Sequence, residues 1–213
     1  MKIIDKYKQI GLHLLVILVL QRLREKFFQP LCYAERVLFA RFMGLKCGSN
    51  ARLLKHSLIT GHQNIVIGNN FVLSNFAHLK SMSSIRGYGV CTIEIEDNVF
   101  VNEFTIVDSN LQVKIGRNTM IGPHCLIIDS NHVFEDNKMS ISEQGCIYKP
   151  TIIGEDCWIG AHVVVLPGVA IGNHVIVAAN STVSKDIPDY AIVAGTPAQI
   201  LRYRNQNENT NCM

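Results

Sequence analysis

Three things are scarce in this 213-residue chain, and each scarcity removes a class of protein. Charge is the first. Lys, Arg, Asp and Glu make up 17% of residues and the formal net charge is only +3. A nucleic-acid-binding surface needs a concentrated basic stripe, so no nucleic-acid partner is expected and any anion site must be local. Paired cysteines are the second. Cys32, Cys47, Cys91, Cys125, Cys146, Cys157 and Cys212 are odd in number and form no C-x-x-C pair. That is a poor disulfide or zinc framework. Cys125 and Cys157 fall where small buried residues are expected, which reads as packing thiols in a reducing compartment. Long apolar runs are the third. Leu14 to Leu20 is an unbroken aliphatic run of seven, far short of the roughly 20 residues that span a bilayer. Lys2, Lys6 and Lys8 precede it as in a secretory leader, but Gln21 to Lys26 follow with no small-x-small cleavage site. A helix packed on its own protein is one reading of this segment. The other is a helix over residues 10–28 lying on the inner membrane face, its basic flanks near lipid phosphates.

What is abundant is apolar: 48% of residues, enough for a sizeable core. The pattern is helical up to about Lys46, with Pro30 as a break, and changes character at Gly44 and Gly48. Beyond them a period of six takes over, and repeats decide a fold before anything else does. Every sixth residue from Ile153 is a branched aliphatic: Ile153, Ile159, Val165, Ile171, Val177, Val183. The residues that follow them are mostly small, and four residues on stand Cys157, Val163, Val169, Val175, Ser181 and Ile187. The pattern recurs at Ile115, Ile121 and Ile127, and more loosely at Ile95 and Val101 and at Ile67 and Leu73. A short strand alternates inward and outward side chains, so six residues supply one strand and one corner. Three such units close a triangular coil, with Gly and Asn taking the unusual backbone angles at the corners. The expectation is a mainly β fold, a parallel β-helix, over residues 49–190. A helical segment over 1–48 precedes it, and a C-terminal extension over 191–213 with a short helix and a disordered tail follows.

The repeat is interrupted once in its strongest part. Ile127 and Ile153 stand 26 residues apart, and the polar stretch 133–149 between them lacks the pattern. A loop this long in a tight solenoid is usually functional. Asn131 and His132 stand at its threshold.

Residues 60–204 resemble the hexapeptide-repeat acyltransferases, particularly the galactoside, maltose, xenobiotic and polysaccharide O-acetyltransferases. The most specific stretch runs from Ile153-Gly154-Glu155-Asp156-Cys157-Trp158-Ile159-Gly160-Ala161 through Leu166-Pro167-Gly168-Val169 and Ala179-Asn180-Ser181. It continues through Lys185-Asp186-Ile187-Pro188 to Ala194-Gly195-Thr196-Pro197-Ala198. The resemblance implies a left-handed coil, a homotrimer with inter-subunit sites, a cytoplasmic location with the inner membrane face as an alternative, and acetyl-CoA as co-substrate with no metal. By position His132 matches the family's general base, and an imidazole titrating near neutrality can pass a proton from an acceptor hydroxyl to the leaving thiol. Trp158 matches a wall of the acyl-donor cleft, and a backbone N–H near Gly160 and Ala161 matches an oxyanion donor. Ala161 and Ala179 are small enough to admit a pantetheine arm, and Lys185 and Arg202 match positions that meet the donor's phosphates. Gln199 departs from the Lys or Arg of many relatives, with Arg204 as a substitute. Asn102 and Asp108 are candidates to face a carbohydrate acceptor, and Asp129 and Glu143 are both candidates to orient His132. The implied reaction is transfer of acetyl to a sugar hydroxyl of a surface polysaccharide, a lipid-linked precursor or a glycoside. The alternatives are N-acetylation of an amino-sugar nucleotide, acetylation of an antibiotic and a non-catalytic scaffold. A zinc carbonic anhydrase needs three convergent histidines, which the spacing of His124, His132, His162 and His174 does not supply.

Overall fold

The computed structural model describes residues 29–82 and 92–204. The apolar run at Leu14 to Leu20, the basic-flanked segment 10–28 and the tail after 204 lie outside the described residues. A helix over Gln29–Phe42 leads in. Pro30, at its second position, costs nothing there, because the first helical N–H groups have no intrahelical partner. Among the described residues no helix is long and apolar enough to cross a membrane.

From Lys46 the chain winds through three parallel sheets in strict rotation. The first face stacks Lys46–Cys47, Ile65–Ile67, Thr92–Ile95, Gln112–Ile115, Thr151–Ile153 and Ala170–Ile171. The second runs from Arg52–Leu53 to Ile176–Val177 and Ala191–Gly195, and the third from Leu58–Thr60 to Thr182–Val183. Each strand pairs with the one a full turn away, so every turn of the coil covers the edge of the last. The inward residues are the aliphatics of the hexad, and Ile67, Leu73, Leu79, Ile95, Val101, Val107, Ile115, Ile121, Ile127 and Ile153 are all buried. At four hexads the second inward position takes a small residue that donates to the next turn. Thr105 Oγ1 bonds the Gly122 carbonyl at 2.7 Å and Thr119 Oγ1 that of Gly154 at 2.9 Å. Cys125 Sγ and Cys157 Sγ do the same to Gly160 and Gly172, at 3.0 and 3.1 Å. Both cysteines are buried free thiols, as expected, and burial pushes that of Cys157 up to about 11.

Insertions fall at one corner only. Within a turn the inward aliphatics step by six, but the passage from third face to first takes eight residues at Val107 to Ile115 and sixteen at Leu79 to Ile95. It takes twenty-six at Ile127 to Ile153. The other two corners keep the period and are bound by ladders. Asn50, Asn70, Asn98 and Asn118, all at positive φ, pass a side-chain amide bond up one edge at 3.2, 2.8 and 3.0 Å. Asn tolerates the left-handed region better than most residues because its short polar side chain bonds locally. Up the other edge His56, Phe76, Phe104, His124 and His162, also at positive φ, form a continuous ring stack with centroids 4.8–5.0 Å apart and planes within 10°.

The C-terminal end corrects one expectation. In place of a short helix, Ala198–Tyr203 is a strand antiparallel to Ala191–Gly195. The last parallel strand would otherwise present open N–H and C=O groups, and the returning strand pairs with them.

Candidate active site

The chain leaves the coil at Asp129 and returns at Lys149, whose N–H bonds the Asp129 carbonyl at 2.8 Å. Between them Ser130–His132 pairs antiparallel with Cys146–Tyr148, and a four-residue helix, Ile141–Gln144, turns the tip. The loop is therefore a hairpin, and His132 stands in its first arm, exposed to solvent.

The root of the hairpin is held by a carboxylate. Asp129 is fully buried. It accepts from the backbone N–H groups of Asn110, Leu111 and Gln112 at 2.7–3.0 Å and from Ser109 Oγ at 2.9 Å. Four donors fill its acceptor sites, so Asp129 locks the preceding turn to the hairpin and does not reach the imidazole. Glu143 is engaged as well: Ser140 donates to it from its hydroxyl at 2.6 Å and from its N–H at 3.2 Å. The hydroxyl bond, seconded by the N–H, holds the Glu143 carboxyl below its ordinary range. Neither acidic candidate orients His132. The ring partner is a residue the sequence reading passed over: Cys146 Sγ lies 3.6 Å from His132 Nδ1, directly opposite it in the hairpin register.

Trp158 lies on the second face, 55% exposed, between Met120 and Ile176 in the ladder. It is not a core side chain. Gly160 is buried at the following corner, where an added Cβ would stand 2.6 Å from Ala179 N, and its own N–H is spent on the Val177 carbonyl at 2.8 Å. The adjacent Ala161 N–H makes no hydrogen bond to the described residues, so of the two candidate donors it is the free one. Ala161 and Ala179 occupy the same corner on successive turns, and Ala179 is exposed. Lys185 is exposed beyond the last strand of the third face, and Arg202 is exposed on the returning strand opposite Ile192. Arg204 is not free to substitute at Gln199: its guanidinium bonds Asp156 at 3.2 Å and the His174 carbonyl at 3.1 Å. The His174 ring at 2.9 Å, seconded by the Arg204 guanidinium, holds the Asp156 carboxyl below its ordinary range.

Asn102 has a corner role, its Oδ1 accepting from the Glu103 N–H at 2.7 Å. Asp108 differs. It stands beside Ile128 in the ladder that leads into the hairpin, pairs through Oδ2 with Lys80 at 2.8 Å, and keeps Oδ1 buried with no partner. Lys80 carried no sequence signal, since its pairing spans a full turn of the coil. Among the described residues no group of three His, Cys, Asp or Glu could hold a metal ion. Three clefts among the described residues, of about 930, 490 and 400 Å³, lie against the helix Gln29–Phe42 and on the first face, and none of the three is lined by His132 or Trp158.

Comparison with known proteins bears on the coil and on the chemistry done on it. Residues 150–185 match the family model described as bacterial transferase hexapeptide (six repeats). Galactoside O-acetyltransferase of Escherichia coli is 36% identical over 54% of this chain and 56% of its own length. A hexapeptide-repeat-containing acetyltransferase of Vibrio cholerae, whose structure has also been solved with acetyl coenzyme A, is 28% identical at a TM-score of 0.59, covering 86% of this chain and 87% of that one. AntD, an N-acyltransferase of Bacillus cereus, shares the fold at a TM-score of 0.67 and 21% identity, over 78% of this chain and 87% of its own. The chain spans 44%, 65% and 56% of the length of the first three curated relatives. Residues 150–185 thus match the bacterial transferase hexapeptide, and the chain is similar to acetyltransferases that carry such repeats.

Proposed function

We propose that this chain is an acetyl-CoA-dependent O-acetyltransferase acting on a sugar hydroxyl, with His132 as its general base. The observation that carries the reading is the placement of His132. It is an exposed imidazole in the first arm of the longest of the passages from the third face to the first, the corner at which the coil departs from its period. The acceptor oxygen attacks the thioester carbonyl as His132 takes its proton. The carbon–sulfur bond then breaks and the proton passes to the CoA thiolate, with no covalent acyl-enzyme. The Ala161 N–H, which makes no hydrogen bond to the described residues, would meet the oxyanion. Trp158 would wall the donor cleft, the corner of Gly160, Ala161 and Ala179 would admit the pantetheine arm, and Lys185 and Arg202 would meet the phosphates. Asp108, with its unpartnered Oδ1 beside the hairpin root, suits an acceptor hydroxyl better than Asn102 does.

The coil winds left-handed in this reading, and the working unit is a trimer whose sites lie between subunits. Support comes from the hairpin, which carries Phe134, Met139, Ile141 and Ile147 exposed; apolar side chains on an extruded arm call for a surface to cover them. A second copy would also supply the wall opposite Trp158. Residues 49–190 then form the catalytic unit, between a helical segment over 1–48 and an extension over 191–213. The chain works in the cytoplasm or at the inner membrane face. The oxygen acceptor is favoured over nitrogen because two galactoside O-acetyltransferases and a lipopolysaccharide biosynthesis O-acetyl transferase of Escherichia coli, all above 30% identity, are named for an oxygen acceptor. AntD lies at 21%.

The test is release of free CoA from acetyl-CoA with glycosides, oligosaccharides and amino-sugar nucleotides as acceptors, beside a mass measurement by light scattering. Release driven by hydroxyl acceptors from a trimeric species is expected. Release with amino-sugar nucleotides alone would replace this reading with N-acetylation.

A further inference from the structure

We propose that Cys146 is a positioning residue for His132, holding the ring in the tautomer that leaves Nε2 free to accept the proton. The inference rests on the reading of His132 as the base, and it adds the residue that makes the imidazole competent. The geometry is specific. His132 and Cys146 are register partners across the hairpin arms, so the backbone ladder fixes their separation. Sγ lies 3.6 Å from Nδ1, the nitrogen that cannot be the one facing the acceptor if Nε2 does.

A general base of this kind needs its second nitrogen held by an acceptor, because that bond decides which nitrogen carries the proton. The carboxylates that could have served are otherwise bound. Asp129 is saturated by four donors in the root, and Glu143 is tied to Ser140. Asp136 accepts from the Lys138 N–H, and Lys149 packs its chain against Gly168. Glu135 and the Lys138 ammonium are the remaining charged groups of the hairpin, and neither bonds the His132 ring among the described residues. Sulfur is a weaker acceptor than a carboxylate, and the Cys146 thiol keeps its own proton while a sulfur lone pair accepts from the ring. As His132 gains the acceptor proton on Nε2, its Nδ1–H donates to Sγ, and the charge that develops on the ring is met by the sulfur. When the proton leaves Nε2 for the CoA sulfur, the pair returns to its starting state, and Cys146 is neither acylated nor consumed.

Cys146 is also the thiol best placed for this among the cysteines described. Cys125 and Cys157 are buried, bonded to coil carbonyls and pushed up by burial, and Cys47 lies beside Arg41 at the far end of the coil with its thiol likewise raised. Cys146 is half-buried, outside the coil and beside a base.

The experiment compares wild type with Cys146→Ala, Cys146→Ser and His132→Ala in full-length protein. Each is followed by the pH profile of kcat/KM and by nitrogen-15 NMR of the His132 ring. Losing the acceptor lowers the affinity of His132 for its proton, so the acid limb of the profile in Cys146→Ala should move to lower pH. The plateau should fall about three- to tenfold, the size of one hydrogen bond. Serine, which keeps an acceptor in place, should return the limb part of the way. The ring spectrum, which needs no turnover, should show the proton on Nδ1 in the wild type and on Nε2 in Cys146→Ala. An unmoved limb together with an unchanged tautomer in Cys146→Ala would overturn the positioning role and leave His132 as base. Full turnover in His132→Ala would overturn the base, and the positioning role with it.

Discussion

The coil and the hairpin are built on opposite principles. In the coil every strand but those at the ends bonds to its neighbours a turn above and a turn below, and side chains of one chemical type stack in columns. Aliphatics fill the interior, asparagines climb one edge and rings climb the other. The hairpin bonds to itself. Val133 N–H meets the Gly145 carbonyl, Gln144 reaches the Asp136 and Met139 carbonyls, and Asp136 returns to the Lys138 N–H. Residues 134–144 include none that is buried. Repetition gives the coil stability shared among neighbouring turns, while the hairpin, released from the period, can place a side chain where the coil has no position for one. Stability should respond to coil substitutions and turnover to hairpin ones.

That division can be broken by measurement. The largest stability effect is expected in the middle of the coil. Ile159→Ala opens a cavity at a fully buried position and should cost about 2–5 kcal/mol in chemical denaturation. Next is an alkaline effect at Cys157. Its thiol titrates at about 11 in the folded chain against 9.0 for the free group, so the folded state holds the proton more tightly. The associated stability is complete below pH 9 and is lost as pH rises through 11. At about 1.4 kcal/mol per pKa unit the loss is on the order of 2–3 kcal/mol, and Cys157→Ala should flatten that slope in thermal melts from pH 8.5 to 11. Third is the ring edge, where Phe104→Ala removes two stacking contacts and should cost about 1–3 kcal/mol; part will be regained because the new side chain also leaves solvent. The smallest effect lies in the hairpin. Glu143→Ala frees the Ser140 donors at the start of a four-residue helix. It should leave global unfolding within about 0.5 kcal/mol while raising hydrogen exchange over residues 140–145. A global loss from Glu143→Ala comparable to that of Ile159→Ala would end the division.

The two regions were unequally legible. Residues Ile153 to Val183 announce the coil because one residue type must recur wherever a strand turns inward. The hairpin was legible only as a gap in that recurrence. Its partner contacts were not, since nothing local ties Cys146 to His132 across fourteen residues, or Asp129 to the N–H groups of Asn110 to Gln112. The ring edge escaped for another reason. The period says which positions face inward, not which corner takes positive φ, so nothing in it marks His124 and His162 as neighbours 4.8 Å apart. Ala198–Tyr203 misled because its composition suits a helix, whereas the open edge of the last turn calls for a strand.

The most direct test measures both properties on one protein, His132→Ala. Turnover of acetyl-CoA with the best hydroxyl acceptor should fall about 10²- to 10⁴-fold, the contribution of a general base, while the thermal midpoint stays that of the wild type. Turnover within a factor of two of wild type would contradict the account, placing the chemistry elsewhere than in the hairpin.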